Sequence, residues 1–146
     1  MNNIEIYTDG GCSGNPGPGG WAYVIIDNET VIEKCSGNQM HTTNNQMELT
    51  AVIKATEKIA LLNFSAVIHT DSQYVKNGIT KWIFNWKKNG WKTANKKPVK
   101  NKELWIALDE AASKINVHWK WVKGHAGIEY NEMCDSMVGM EMDKIK

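Results

Sequence analysis

Four carboxylates in this chain stand at positions where a carboxylate is costly. Asp9 closes a β-rich stretch that begins at Ile4, and Asp71 closes another, Ala66 to Asp71. If the two stretches are parallel neighbours in a sheet, both acids lie at its carboxyl edge, where open α/β folds bind ligands. Glu48, Val52, Ala55 and Ile59 are spaced i, i+4, i+7 and i+11, which puts an acid on the apolar stripe of a helix. Asn131, Asp135, Val138 and Met142 repeat that spacing, so Asp135 is expected to point inward as well.

An inward carboxylate needs a cationic partner or a metal ion. Taken singly, each acid has an ordinary alternative: a salt bridge to Lys, or, for Asp9 and Asp71, a turn or cap role. Four acids from separate elements aimed at one edge point instead to hard divalent cations. All-carboxylate ligation favours magnesium or manganese over zinc. Two such ions balance four negative charges, in the two-metal arrangement that exchanges one oxygen on phosphorus for another. His125, between glycines in Lys123-Gly124-His125-Ala126-Gly127, is either a surface loop residue or a proton carrier near neutral pH. His41, His69 and His118 have no such setting and are read as structural.

The elements that must position these groups follow from pattern. Ile4 to Thr8 reads as a strand, a glycine-rich loop spans Gly10 to Gly20, and strands follow near Trp21–Asp27 and Val31–Ser36, making an antiparallel meander. Thr43 to Gln46 has capping-box spacing and opens a helix to about Leu61. Ala66 to Asp71 is a strand, Ser72 caps a helix that Gly78 ends, and Lys81 to Lys88 is helical. A loop from Gly90 to Pro98, a helix from Asn101 to Lys114, a strand from Ile115 to Val122 and a last helix from about Glu129 complete the chain. This is an α/β fold: one domain, 1–146, with a mixed sheet and helices on its faces.

Composition narrows the class. The chain has 146 residues, 42% of them hydrophobic, with seven Trp, which excludes a disordered chain. Its longest apolar run, Trp21 to Ile26, is far short of a bilayer span, and no signal peptide is visible. Cys12, Cys35 and Cys134 form no metal or disulfide pattern and suit free thiols in a reducing cytoplasm. All 17 basic residues are Lys, and nine of them fall between Ser72 and Lys102 without one acid. The remaining eight Lys face all 16 acids, so a local charge of +9 stands beside −8. Trp82, Trp86, Trp91 and Trp105 lie in or beside the block, as in a groove that takes phosphate on amines and sugar or base on rings. A plain solvated Lys face is the alternative.

Several stretches, in order along nearly the whole chain, resemble bacterial ribonuclease HI. They are Tyr7-Thr8-Asp9-Gly10-Gly11, the run from Gly14 to Gly20, Thr42 to Glu48, Thr70 to Val75, Trp121 to Gly127, and Asn131 to Asp135. The segment from about Lys81 to Val99 resembles that group's basic protrusion. The resemblance implies a five-stranded mixed sheet flanked by helices and a cytoplasmic monomer. Its implied activity is endonucleolytic cleavage of the RNA strand of RNA–DNA hybrids, leaving 5′-phosphate and 3′-hydroxyl ends. It further implies that Asp9, Glu48, Asp71 and Asp135 hold two magnesium ions, with manganese a possible substitute, and that His125 assists proton movement and product departure. Asn44 and Gln73 are expected to face the RNA minor groove. Thr43 and Asn45 are expected to seat a DNA phosphate, with Asn15 at the edge, and Trp82, Trp86, Lys87 and Lys88 to meet the hybrid. A hybrid-binding module without catalysis, and a DNA-cutting transferase of related fold, are the competing readings. Two departures stand out: Gly139 inside the last helix costs about 1 kcal/mol against Ala, and Lys takes the place of Arg throughout, keeping charge but losing bidentate contacts.

Overall fold

The computed structural model describes residues 4–62, 65–121 and 129–145. Strand β1 (Ile4–Cys12) runs antiparallel to β2 (Gly17–Asp27), which pairs antiparallel with the edge strand β3 (Thr30–Thr42). Helix α1 (Asn44–Leu62) leads to β4 (Ala66–Thr70), which lies parallel to β1 on its other side. Helix α2 (Gln73–Asn77), a π-helical turn (Gly78–Trp82) and α3 (Ile83–Lys88) follow. Helix α4 (Lys102–Ser113), the parallel strand β5 (Val117–Trp121) and α5 (Glu129–Asp143) complete the order. The sheet reads β3-β2-β1-β4-β5: a five-stranded mixed sheet with helices on both faces, as expected.

Alternation sorts the strands onto two cores. Ile4, Ile6, Tyr23, Ile25 and Ile68 face α1, where Ala55 and Ile59 meet them. Leu49, Val52 and Ile53 of α1 extend this side to Val75, Trp105 and Leu108. On the opposite face Tyr7, Ala22, Val24 and Ile26 pack on Cys134 and Val138 of α5. Among the described residues no helix is long and apolar enough to cross a membrane.

Three expectations change. Most of the glycine-rich stretch is strand: Gly10, Gly11 and Cys12 pair with Trp21, Gly20 and Gly19. Its glycines serve close packing, because a Cβ on Gly10 would run into the backbone of Met47 and Glu48. Gly78 does not end a helix either; its backbone is right-handed, φ −62° and ψ −48°, and the chain continues helically through it. Only hydrogen fits there because the Trp105 ring occupies the place of a side chain. Finally, β3 runs to Thr42 rather than Ser36, carrying the chain directly to the start of α1.

Candidate functional site

Three of the acids converge by construction. In the parallel pair, Glu5, Ile6 and Tyr7 stand opposite Val67, Ile68 and His69, and continuing that register sets Asp9 opposite Asp71. Both therefore emerge on the α5 face. Glu48 reaches them from the first turns of α1, where Thr43 caps the helix by accepting the Gln46 N–H at 3.2 Å. The side-chain-free surface of Gly10 lets α1 approach, and the Gly10 N–H donates to Glu48 Oε1 at 3.3 Å. Carboxylate oxygens of Asp9, Glu48 and Asp71 come within 4.8 Å of one another. Together with Asp135, they line an open cleft of about 510 Å³ whose other walls include Asn44, Cys12, Val138 and Met142.

Asp135 departs from expectation in one respect. It is exposed, on the rim of the cleft, although Asn131 and Val138 beside it on α5 are buried. It still acts on Asp9, sharing a hydrogen bond with it and repelling its charge.

The electrostatics show a crowded site. Burial, then the charges of Asp71 and Asp135, push Asp9 from 3.8 up to about 7, against the Gly10 N–H that favours its ionised form. Burial, then Asp9 and Asp71, push Glu48 from 4.5 up to about 8, although Ser72 and Gly10 donate to it. No described Lys forms an ion pair with either acid; the Lys pairs found go to Glu33, Asp109 and Glu141. A compact, all-oxygen set that cannot comfortably ionise in full is chemically fitted to a hard divalent cation.

The neighbours of the acids are structural. His69 is 5% exposed, stacks on Tyr7 with ring centroids 4.2 Å apart, and donates to Glu5 at 3.0 Å. Burial lowers its pKa, with Glu5 opposing. Cys134 donates to the Tyr7 carbonyl at 3.3 Å, and burial holds its thiol protonated. All three cysteines are free.

The remaining expected residues fall into three groups. Asn15 and Asn44 are exposed and joined, the Asn44 N–H donating to Asn15 Oδ1 at 3.0 Å, while Asn45 is half-buried beside them and Gln73 is exposed just beyond Asp71. The Trp–Lys segment differs from a simple interleaved groove. Trp105 is fully buried and Trp86 packs on it and on Trp91, so these rings anchor the protrusion to the core. Trp82 is 37% exposed and Lys88 is exposed, whereas Lys87 is paired with Asp109 at 3.3 Å. His125 lies outside the described residues.

Sequence reasoning passed over Glu141. It is 6% exposed on α5, where it accepts from Ser36 Oγ at 2.6 Å, Asn38 Nδ2 at 2.8 Å and Lys144 Nζ at 3.1 Å. Its signal lay in the spacing: Cys134, Val138 and Glu141 are i, i+4 and i+7, the same kind of stripe that singled out Glu48.

Comparison with known proteins gives one consistent answer. The RNase H family model matches residues 1–142. A ribonuclease H from Treponema denticola is 54% identical over 150 residues, covering 92% of this chain and 94% of the relative. Among solved structures, LC9-RNase H1, a type 1 RNase H with the type 2 active-site motif, superposes with a TM-score of 0.88 at 29% identity, covering 100% of this chain and 74% of that one. LC11-RNase H1 in complex with RNA/DNA hybrid is similar with a TM-score of 0.75 at 25% identity, covering 97% and 98% of the two chains.

Proposed function

The chain belongs to the ribonuclease H family, in its bacterial type 1 branch, and from that premise we propose that it cuts the RNA strand of RNA–DNA hybrids by two-metal-ion catalysis. The products are 5′-phosphate and 3′-hydroxyl ends. The observation that carries the reading is the mutual approach of the carboxylates of Asp9, Glu48 and Asp71 in one open cleft, with Asp135 at its rim. These four residues hold the ions, magnesium first and manganese as a substitute. When bound, the pair of ions supplies Lewis acidity that favours ionisation of the attacking water and stabilises the departing 3′ oxygen.

The protein's own groups do the rest. Asp9 and Glu48 release their protons on loading, so metal affinity rises with pH through the range in which they titrate. Asn44, on the wall of the cleft, and Gln73, two residues after Asp71, are both exposed and offer amides to the minor groove, where RNA displays its 2′-hydroxyls. Asn15 fixes the Asn44 backbone, and Thr43 fixes the first turn of α1; with Asn45 they seat the DNA strand. Lys88 and Trp82 of the protrusion, 81–99, meet phosphate and sugar, with Lys87 and Trp86 behind them. His125 carries the proton to the departing product. The whole chain acts as one catalytic domain, a monomer in the cytoplasm.

The test is a gel assay on labelled hybrid, RNA duplex and DNA duplex, with magnesium and with excess EDTA. Cleavage of the RNA strand of the hybrid alone, lost in EDTA and in Asp71→Asn while hybrid binding persists, is expected. Turnover in EDTA refutes the metal reading. Binding without any cutting returns the chain to the binding-module reading.

A further inference from the structure

Helix α5 carries Asp135, and nothing in the sequence of that helix other than packing says how it is held at the right height and rotation over the other acids. Sheet register supplies the answer. Asp9 pairs with Ala22, and Ala22 pairs with Ser36, so Asp9, Ala22 and Ser36 form one row across β1, β2 and β3 on the α5 face, and the register of β1 with β4, continued past the end of β4, brings Asp71 into line with it. Asp9 and Ser36 are two strands apart, about 10 Å at the usual spacing between strands. Asp135 and Glu141 are six residues apart on α5, about 9 Å along a helix axis. The helix thus crosses the row, engaging Asp9 through Asp135 at one end and Ser36 through Glu141 at the other.

Two further observations fix this crossing. A Cβ on Gly20, which pairs with Asn38, would come within 3.0 Å of the Glu141 Cβ and the Val138 carbonyl, so the helix backbone rides close to β2 at this point. The Glu141 carboxylate is nearly sealed from solvent and satisfied from two residues of the edge strand. An exposed ion pair to Lys144 alone would not hold a helix; a buried carboxylate accepting two bonds from one strand cannot let go without a large desolvation cost. Gly139, two residues away, gives the helix little intrinsic stiffness here, so the tether does more than local propensity.

We propose that Glu141, clamped by Ser36 and Asn38, is a positioning residue that registers α5 on the sheet and thereby sets Asp135 over Asp9 for cation binding. The inference rests on the reading that Asp135 is a metal ligand, and the experiment separates the two. Mg2+ alone is titrated calorimetrically into the free protein, and kcat and KM for hybrid are measured alongside. Asp135→Asn weakens Mg2+ binding. Glu141→Ala also weakens it, by about tenfold, the low end for residues that orient ligands, and lowers kcat while KM for hybrid holds. Glu141→Gln, which can still accept from Asn38, retains most of the affinity; Lys144→Ala retains all of it. Leu108→Ala, destabilised in the other core, keeps wild-type affinity. If Glu141→Ala does not fold, the Ser36→Ala, Asn38→Ala pair shows the same weakening. Wild-type Mg2+ affinity in Glu141→Ala, or in the pair, beside a weakened Asp135→Asn overturns the positioning role and leaves the metal reading standing. Wild-type affinity in Asp135→Asn overturns both.

Discussion

Removing a charge from the acidic cluster should make the metal-free protein more stable while destroying its activity. In Asp9→Asn the lost group is one that folding burdens: its pKa climbs from 3.8 to about 7, chiefly through burial. Each pH unit of that climb is worth about 1.4 kcal/mol, so ionised Asp9 takes as much as about 4 kcal/mol from the metal-free fold. The Asn amide retains a burial cost of its own, about 1–3 kcal/mol. The difference leaves about 2 kcal/mol of net gain, a rise in midpoint of about 4–8 °C for a chain of this length. The sign depends on pH. A carboxyl whose pKa is raised by folding supports the fold fully below its unfolded value and loses that support as pH rises through the folded one. The gain is therefore greatest at pH 8 and gone by pH 4. Thermal unfolding followed by circular dichroism in EDTA at pH 4, 6 and 8 measures it, with a magnesium series at pH 8 that lifts wild type more than the variant. A variant that melts at or below wild type at pH 8, or with equal gaps at pH 4 and pH 8, refutes the argument that burial among the other acids makes ionised Asp9 a burden on the fold.

Other outcomes follow from the same structure. Lys88→Ala should raise KM and flatten its salt dependence more than Lys87→Ala, because Lys87 is paired with Asp109; equal salt slopes in a steady-state series would contradict that. Gly78→Ala should cost about 1–3 kcal/mol, since the new methyl meets the fully buried ring of Trp105; denaturant melts with an unchanged midpoint would show that the helix shifts freely. Glu141 is held below its usual pKa, first by the Ser36 hydroxyl and then by Asn38 and Lys144. Its ionised form thus supports the fold above the ordinary carboxylate range and ceases to as pH falls below it. Glu141→Gln should lower the midpoint at pH 7 and converge on wild type near pH 3, by the same melts.

How far the sequence could be read depended on whether a signal was local. The antiparallel meander of β1, β2 and β3, the α1 cap at Thr43 and the acid on the Glu48 stripe are written in spacing and alternation, and the structure keeps them. The exposure of Asp135 was not legible, because a stripe gives the side of a helix but not how far that helix overhangs the sheet edge. The packing of Trp86 was not legible for a related reason: Lys and Trp alternate in the chain as they do in a nucleic-acid groove, and only Trp105, arriving from α4, shows that one side of Trp86 rests on the core. Gly78 and the stretch from Gly10 to Gly20 look like turn formers by composition, and only a partner remote in sequence reveals why no side chain is admitted.

That last point reaches into the chemistry. On the proposed two-metal reading, carboxylates from the ends of two strands and from two helices must be set within fractions of an ångström, because a magnesium ion tolerates little departure from near-ideal coordination at about 2.0–2.1 Å. Long side chains do not supply such precision; backbone contact does. Gly10 brings α1 down until its N–H holds Glu48, and Gly20 brings α5 down until Glu141 reaches Ser36. At either position a methyl group would lift a helix away from the sheet and draw an acid out of the cluster. The repulsion among the acids would then fall, and stability would recover in part, but the acids would no longer converge as the proposed cations require. The glycines therefore work against the preference of the acids to separate, and the crowding that weakens the fold is the same crowding that the proposed cations would relieve.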